Sequence, residues 1–79
     1  MNVYSEVLNI INSSPQPLGW YGIEIRLGMK GIILDRNLVS VLNELEEQSL
    51  VKHETQDGYP HGIYMITSAG QTFLHREAR

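Results

Sequence analysis

The chain of 79 residues contains no cysteine. This absence excludes a disulfide framework and a cysteine-based zinc site, and nothing indicates an oxidising compartment. Long apolar runs are also missing, because no stretch approaches the roughly 18 residues that a membrane-spanning helix requires. The opening stretch MNVYSEVLNI has no basic flank and carries Glu6 within its apolar pattern, which is not typical of a signal peptide. These absences predict a cytoplasmic protein without a membrane segment.

Basic residues are scarce as well, since six Lys and Arg stand against nine Asp and Glu, for a net charge of −3. Nucleic-acid-binding domains usually carry a basic surplus, so the placement of the few cations matters more than their number. The hydrophobic fraction of 42% with 19% charged residues is typical of a folded globular protein. The length predicts a single domain over residues 1–79, of modest stability unless a second subunit adds to it.

Hydrophobic spacing and turn residues predict an α+β fold, mainly helical, with a β-hairpin between the third and fourth helices. Asp35 is the expected N-cap of the third helix and Thr67 that of the last. The segment QDGYPHG at 56–62 is expected to be a turn or loop. The predicted elements are helices over 2–13, 20–28, 35–49 and 67–77, and a hairpin over 50–66.

The third predicted helix has two faces of different chemistry. Its apolar positions recur at helical spacing and require a core. These are Leu38, Val41, Leu42 and Leu45. The opposite side is polar and is left to contact water or a partner. It carries Arg36, Ser40, Asn43 and Glu47.

Three segments resemble PadR-like and MarR-like bacterial regulators. WYGIEIRL resembles their second helix, LVSVLNELEEQSLV their recognition helix, and YMITSAGQTFL the junction between their wing and last helix. The family patterns LxxLExxGLI and YxLTxxG stand here as LNELEEQSLV at 42–51 and YMITSAG at 64–70, with Ser49 where glycine is usual. The similarity runs from about residue 3 to about residue 75. It implies a winged helix-turn-helix, with a three-helix core, a β-hairpin wing and a C-terminal helix.

The resemblance also implies duplex DNA as the partner of a transcriptional regulator, with the third helix in the major groove. Arg36 would then pair with guanine, Asn37 or Asn43 with adenine, and Ser40 with a base or phosphate. Basic residues around the helix-turn-helix and polar residues of the wing would approach the DNA backbone. The candidates for that contact are Arg26, Lys30, Lys52 and His61.

A homodimer would match two half-sites one helical turn apart. Its expected contacts lie on the first and last helices, at Tyr4, Val7, Phe73 and Leu74. The alternative is a winged-helix module that binds a protein and not DNA, as a phage-encoded inhibitor or assembly subunit would. Net negative charge and the Tyr59-Pro60 pair at the wing tip favour this alternative.

Other chemistry has little support in the sequence. His53, His61 and His75 match no known pattern of metal ligands. There is no glycine-rich phosphate loop, nucleophile elbow or convergent carboxylate pair, so we expect no enzyme activity and no cofactor. Trp20 and Tyr21 are expected to pack in the core, with the Trp N–H bonded to a local acceptor.

Overall fold

The computed structural model describes residues 3–77, which form four helices and one three-stranded sheet. The sheet is antiparallel with β3 in the centre, in the order β1-β3-β2. No helix within this part of the chain is long and apolar enough to cross a bilayer. The elements are α1 (Val3–Ser13), β1 (Leu18–Gly19), α2 (Trp20–Met29), α3 (Leu38–Glu47), β2 (Val51–Gln56), β3 (Tyr59–Ile66) and α4 (Ser68–Glu77).

The core lies where the apolar faces of α1, α2 and α3 meet one another and the sheet. The apolar stripe predicted for the third helix is buried as expected, and its polar partners Ser40, Asn43 and Glu47 are exposed. A fully buried aliphatic side chain stabilises the fold by about 1.5–3 kcal/mol, so this stripe fixes the rotation of α3. The largest fully buried side chains are Leu8, Ile23, Leu42, Leu45, Val7 and Val41.

The two helices of the helix-turn-helix end in the same way. After α2, Gly31 is left-handed at φ 71°, and the Ile32 N–H donates to the Leu27 carbonyl at 2.9 Å. After α3, Ser49 is left-handed at φ 62°, and the Leu50 N–H donates to the Leu45 carbonyl at 2.9 Å. Both are Schellman caps, in which a left-handed residue reverses the chain. The serine that departs from the family pattern therefore occupies a glycine-type conformation.

The third helix is shorter than the sequence predicts. It begins after Asn37, whose Oδ1 accepts from the Val39 N–H at 2.8 Å, and it ends at Glu47. Asp35 lies in the connector, so its predicted role as the N-cap is wrong. Asn37 serves instead because it directly precedes Leu38, the first buried residue of the stripe. The first helix was predicted to begin at residue 2, which lies outside the described residues.

The hairpin spans nearly the predicted residues, but its strands are longer and its loop shorter than predicted. Only the turn Asp57-Gly58 separates β2 from β3, although the whole segment 56–62 was expected to be a loop. Glu54 pairs with Ile63 and Gln56 with Tyr59, so residues 60–62 bulge opposite a single residue of β2. The bulge accommodates a proline within the strand. It also needs a glycine at 62, where φ is 77° and a Cβ would lie 2.4 Å from the Glu54 carbonyl oxygen.

The corner between α3 and β2 is tied to the start of α4. The Thr67 hydroxyl donates to the Ser49 carbonyl at 2.6 Å and accepts from the Gly70 N–H at 3.0 Å, which confirms Thr67 as a cap. At Gly70 a Cβ would lie 2.2 Å from the Leu50 carbonyl oxygen, so the two segments approach at backbone distance. Four helices with a hairpin wing make up a winged helix-turn-helix, mainly helical, and confirm the predicted fold class.

The left-handed serine predicts a stabilising substitution. Replacing Ser49 with glycine removes the steric cost of a side chain at positive φ, which is roughly 1–2 kcal/mol and only partly offset by the greater freedom of glycine in the unfolded chain. We expect Ser49→Gly to raise the free energy of unfolding by about 0.5–1 kcal/mol in urea denaturation.

A matched control is Ser40→Gly, which makes the same change at an exposed, right-handed position within α3. That variant should lose about 0.5 kcal/mol, because glycine is a poorer helix former than serine. Equal losses in both variants would contradict the proposed conformation of Ser49.

Candidate nucleic-acid interface

The outer face of α3 is polar and exposed. Ser40 and Asn43 lie one helical turn apart on this face, and both side chains are exposed. Val39 is 41% exposed beside them, although its neighbours Leu38 and Val41 are buried. The face therefore offers a hydroxyl, a carboxamide and a small apolar surface, which are groups that can contact base edges.

A shallow cleft of about 270 Å³ separates α3 from the wing. Asn43 lines it from the helix, and Thr55 and His61 line it from the two strands of the hairpin. The cleft brings together two of the residues predicted to contact DNA, Asn43 and His61. The complete lining consists of Trp20, Val39, Asn43, His53, Thr55, Pro60, His61, Gly62 and Tyr64.

His53 holds the wing in position beside α3. Its ring stacks on Tyr64 with 4.3 Å between the ring centroids and 4° between the planes. Nε2 lies 2.6 Å from the His61 carbonyl oxygen and donates to it, while Nδ1 lies 3.6 Å from the Glu46 carboxylate on α3. His53 is thus a positioning residue for the cleft, and sequence spacing alone did not reveal this role.

Arg36 was predicted to pair with guanine, and the structure places it in a cluster between α1 and α3. Its Nε lies 3.1 Å from Glu44 Oε2, and Nη2 donates to the Tyr4 hydroxyl at 2.6 Å. The guanidinium also lies 5.3 Å from the centroid of the Tyr4 ring, and the Tyr4 hydroxyl donates to Glu44. Contact with a base would require this cluster to open, so the role of Arg36 at DNA stays a prediction.

The other predicted DNA residues are spread over three places. Asn37 caps α3, and Lys52 pairs with Glu54 at 2.9 Å. Arg26 and Lys30 lie together beside the end of α1, where Arg26 donates to the Gly22 carbonyl at 3.4 Å. The structure therefore does not bring the cations to the outer face of α3.

The residues predicted to form a dimer interface also have different environments. Val7 is fully buried in the core, so its side chain offers no surface to a second subunit and that prediction is wrong. Tyr4 belongs to the cluster with Arg36 and Glu44. Phe73 and Leu74 on α4 are half-buried against the core. Of the four residues predicted for the interface, Tyr4, Phe73 and Leu74 retain exposed surface.

The aromatic pair at the start of α2 differs from expectation. Trp20 is half-buried, but its Nε1 has no hydrogen-bond acceptor among residues 3–77, so the predicted local acceptor is absent there. Tyr21 is 67% exposed, and its predicted core position is wrong. The helix is short and only Ile23 and Leu27 face inward, which leaves Tyr21 on the outside. No signal in the sequence distinguished the two neighbouring rings.

Two tyrosines have a raised pKa. The hydrogen bond to the Glu44 carboxylate raises the pKa of Tyr4, burial adds to the effect, and the Arg36 charge opposes it. Burial raises the pKa of Tyr64, and the nearby Glu46 charge adds to the effect. Folding thus favours the protonated phenols, and the folded state loses stability as the pH rises above 10 through these raised values.

Comparison with known proteins supports the fold. The chain matches no protein-family model and no curated protein. It is similar to the crystal structure of a conserved protein of unknown function that is described as a potential transcriptional factor, with a TM-score of 0.80 and 26% identity. The alignment covers 96% of this chain and 71% of that one, so the likeness extends over the wing as well as the helices.

The cluster of Tyr4, Arg36 and Glu44 predicts a change in tyrosine ionisation. Replacing Glu44 with glutamine removes the carboxylate that raises the pKa of Tyr4 and leaves Arg36, which lowers it. In a titration followed by tyrosinate absorbance, we expect one of the four tyrosines to ionise at lower pH in Glu44→Gln than in the wild type.

Glu47→Gln is the matched control, because Glu47 is exposed on the same helix and its replacement should leave the curve unchanged. Superimposable titrations of Glu44→Gln and the wild type would show that the cluster does not form in solution.

Proposed function

We propose that this protein is a small transcriptional regulator that binds duplex DNA with α3 in the major groove. The observation that carries the proposal is the exposed polar face of α3, with Ser40 and Asn43 beside the wing cleft, on the element that a winged helix-turn-helix inserts into DNA. The similar solved structure, described as a potential transcriptional factor, supports it. The motifs at 42–51 and 64–70 support the finer proposal of a PadR-like or MarR-like regulator.

Each candidate residue has a role that follows from its chemistry. The Asn43 carboxamide has the paired donor and acceptor that adenine presents in the major groove, and Ser40 can bond to a base or a phosphate. His61 and Thr55, on the far side of the cleft, would contact the sugar-phosphate backbone next to that site. Arg26 and Lys30 would approach a phosphate at the other end of the helix-turn-helix.

The electrostatics favour weak binding by one subunit. Glu44 and Glu54 already neutralise Arg36 and Lys52, and the chain as a whole is acidic. Arg26 and Lys30 would release few counterions from DNA. The slope of the logarithm of the binding constant against the logarithm of the salt concentration changes by about −0.9 for each phosphate contacted. We therefore propose a homodimer in which α1 and α4 meet their counterparts, because two linked half-sites compensate for weak individual contacts.

The test is fluorescence anisotropy of a labelled mixed-sequence duplex at roughly 50 and 200 mM salt, where phosphate contacts lose affinity. We expect binding that weakens with salt. Lys30→Ala should make the plot of log binding constant against log salt concentration less steep, by the amount that corresponds to about one phosphate contact. Asn43→Ala should weaken binding at a selected operator, by roughly 1–3 kcal/mol for one lost base contact.

Gln48→Ala is the matched control, because it removes one exposed carboxamide at the far end of α3, away from the proposed base contact and from the proposed dimer helices. Wild-type protein that fails to bind at the lower salt concentration, or a Gln48→Ala variant as weak as Asn43→Ala, would overturn the proposal.

A protein-binding module is the second candidate, and a specific observation favours it. Three large apolar side chains around the helix-turn-helix are unusually exposed, namely Tyr21 at 67%, Met29 at 81% and Ile33 at 93%. Contact with a protein partner would remove these apolar side chains from water. Under this alternative the acidic surface repels DNA, and the variants of Lys30 and Asn43 leave binding to the protein partner unchanged.

A further inference from the structure

A second concave surface lies away from α3. It is a groove of about 540 Å³ between the connector of α1 and β1, the first turn and a half of α2, and the tip of the wing. No residue of α3 lines this groove, so a ligand could bind there whether or not α3 contacts DNA. We call it the aromatic groove. Its lining is residues 14–22, Arg26 and residues 58–62.

The walls of the aromatic groove consist of flat rings and prolines. Trp20 stacks with Tyr21 at 6.4 Å between ring centroids and meets His61 edge-on at 5.9 Å. On the opposite side the Tyr59 ring lies over Gly19, where a Cβ would be 2.8 Å from Tyr59 Cδ1. Pro15, Pro17 and Pro60 complete the walls. Grooves lined by aromatic rings are the surfaces that bind extended proline-rich peptides, whose polyproline helix is preformed and loses little entropy.

The charges around the groove indicate the chemistry of its ligand. Among residues 3–77, Arg26 is the one Lys or Arg in the lining, and no Asp or Glu lies there, although the chain carries nine acidic residues. The groove is therefore complementary to a negative charge, in contrast to the protein as a whole.

We propose that the aromatic groove binds an extended, proline-containing segment of a partner protein, with an acidic residue of that segment paired to Arg26. The prolines of the segment pack between Tyr59 and the rings of Trp20 and Tyr21. A carboxylate of the segment meets the Arg26 guanidinium, which within residues 3–77 donates to the Gly22 carbonyl at 3.4 Å. A peptide suits this site better than a nucleic acid, because single-stranded nucleic acids require a groove with several cations along the backbone.

The position of Trp20 makes the proposal directly measurable, because it is the single tryptophan of the chain. The probe is a short synthetic peptide that alternates proline and leucine, with a glutamate at each end. We expect the fluorescence emission of Trp20 to change as this peptide is added and to reach a plateau. A peptide with lysines in place of the glutamates should bind about fivefold or more weakly, since it places like charges beside Arg26. A peptide with serine in place of proline should bind more weakly, because its flexible backbone loses conformational entropy when it becomes extended in the groove.

Two variants place the peptide in the groove. Tyr59→Ala removes one aromatic wall and should weaken binding about tenfold. Arg26→Gln should abolish the preference for glutamate over lysine. Arg76→Gln, which removes a charge from α4, is the matched control and should leave the affinity unchanged. Circular dichroism verifies that each variant is folded, and Arg26→Gln alters only an exposed side chain.

Several outcomes would overturn the proposal. These are an unchanged Trp20 emission together with no heat of binding, equal affinity for the glutamate and lysine peptides, and wild-type affinity in Tyr59→Ala. Tight binding of a thymidine oligonucleotide without binding of the glutamate peptide would equally reject the peptide and assign the groove to single-stranded nucleic acid. None of these results bears on duplex binding by α3, which Asn43→Ala tests separately.

Discussion

Burial of one face of α3 is the constraint on which the rest of the structure depends. Leu42 and Leu45 are fully buried, so the helix can rotate only at the cost of exposing them. That constraint places Ser40 and Asn43 outside and the carboxylate of Glu46 toward the wing. His53 then links the wing to the helix through Glu46 and the His61 carbonyl. The outer face and the cleft are consequences of the same apolar stripe.

Two basic side chains that were predicted to contact DNA form local ion pairs. Arg36 pairs with Glu44 and Lys52 with Glu54, and both pairs are partly exposed. Exposed pairs of this kind contribute little to stability, but they lower the positive potential available to a nucleic acid. Affinity for DNA would therefore depend on shape, on base contacts and on a second subunit more than on steering by charge.

The aromatic groove and the outer face of α3 are separate surfaces that share the wing. His61 lines both the groove and the cleft, and its ring contacts Trp20. The bulge at 60–62 brings the tip of β3 against β1 and thereby shapes the groove. A ligand in the groove would contact the same segment that borders α3. The hairpin therefore contributes residues to both candidate binding surfaces.

Local sequence patterns determined the helices, the hairpin and the buried stripe, because spacing of apolar residues is a local property that survives in any tertiary context. They also identified Thr67 as a cap and Ser49 as a departure from glycine. Contacts between polar side chains and distant parts of the chain were not predicted. Arg36 contacts Tyr4, 32 residues away, and its contact with a base stays a prediction. The cap of α3 is Asn37 and not Asp35, and Pro60 lies within a strand because the bulge accommodates it. Tyr21 pointed outward while Trp20 formed a wall with Tyr59 and Pro60, residues that only folding brings near. The pattern of apolar and polar residues thus defines the two faces of each element. The contacts of each polar or aromatic side chain depend on the folded arrangement, because they join segments that lie far apart along the chain.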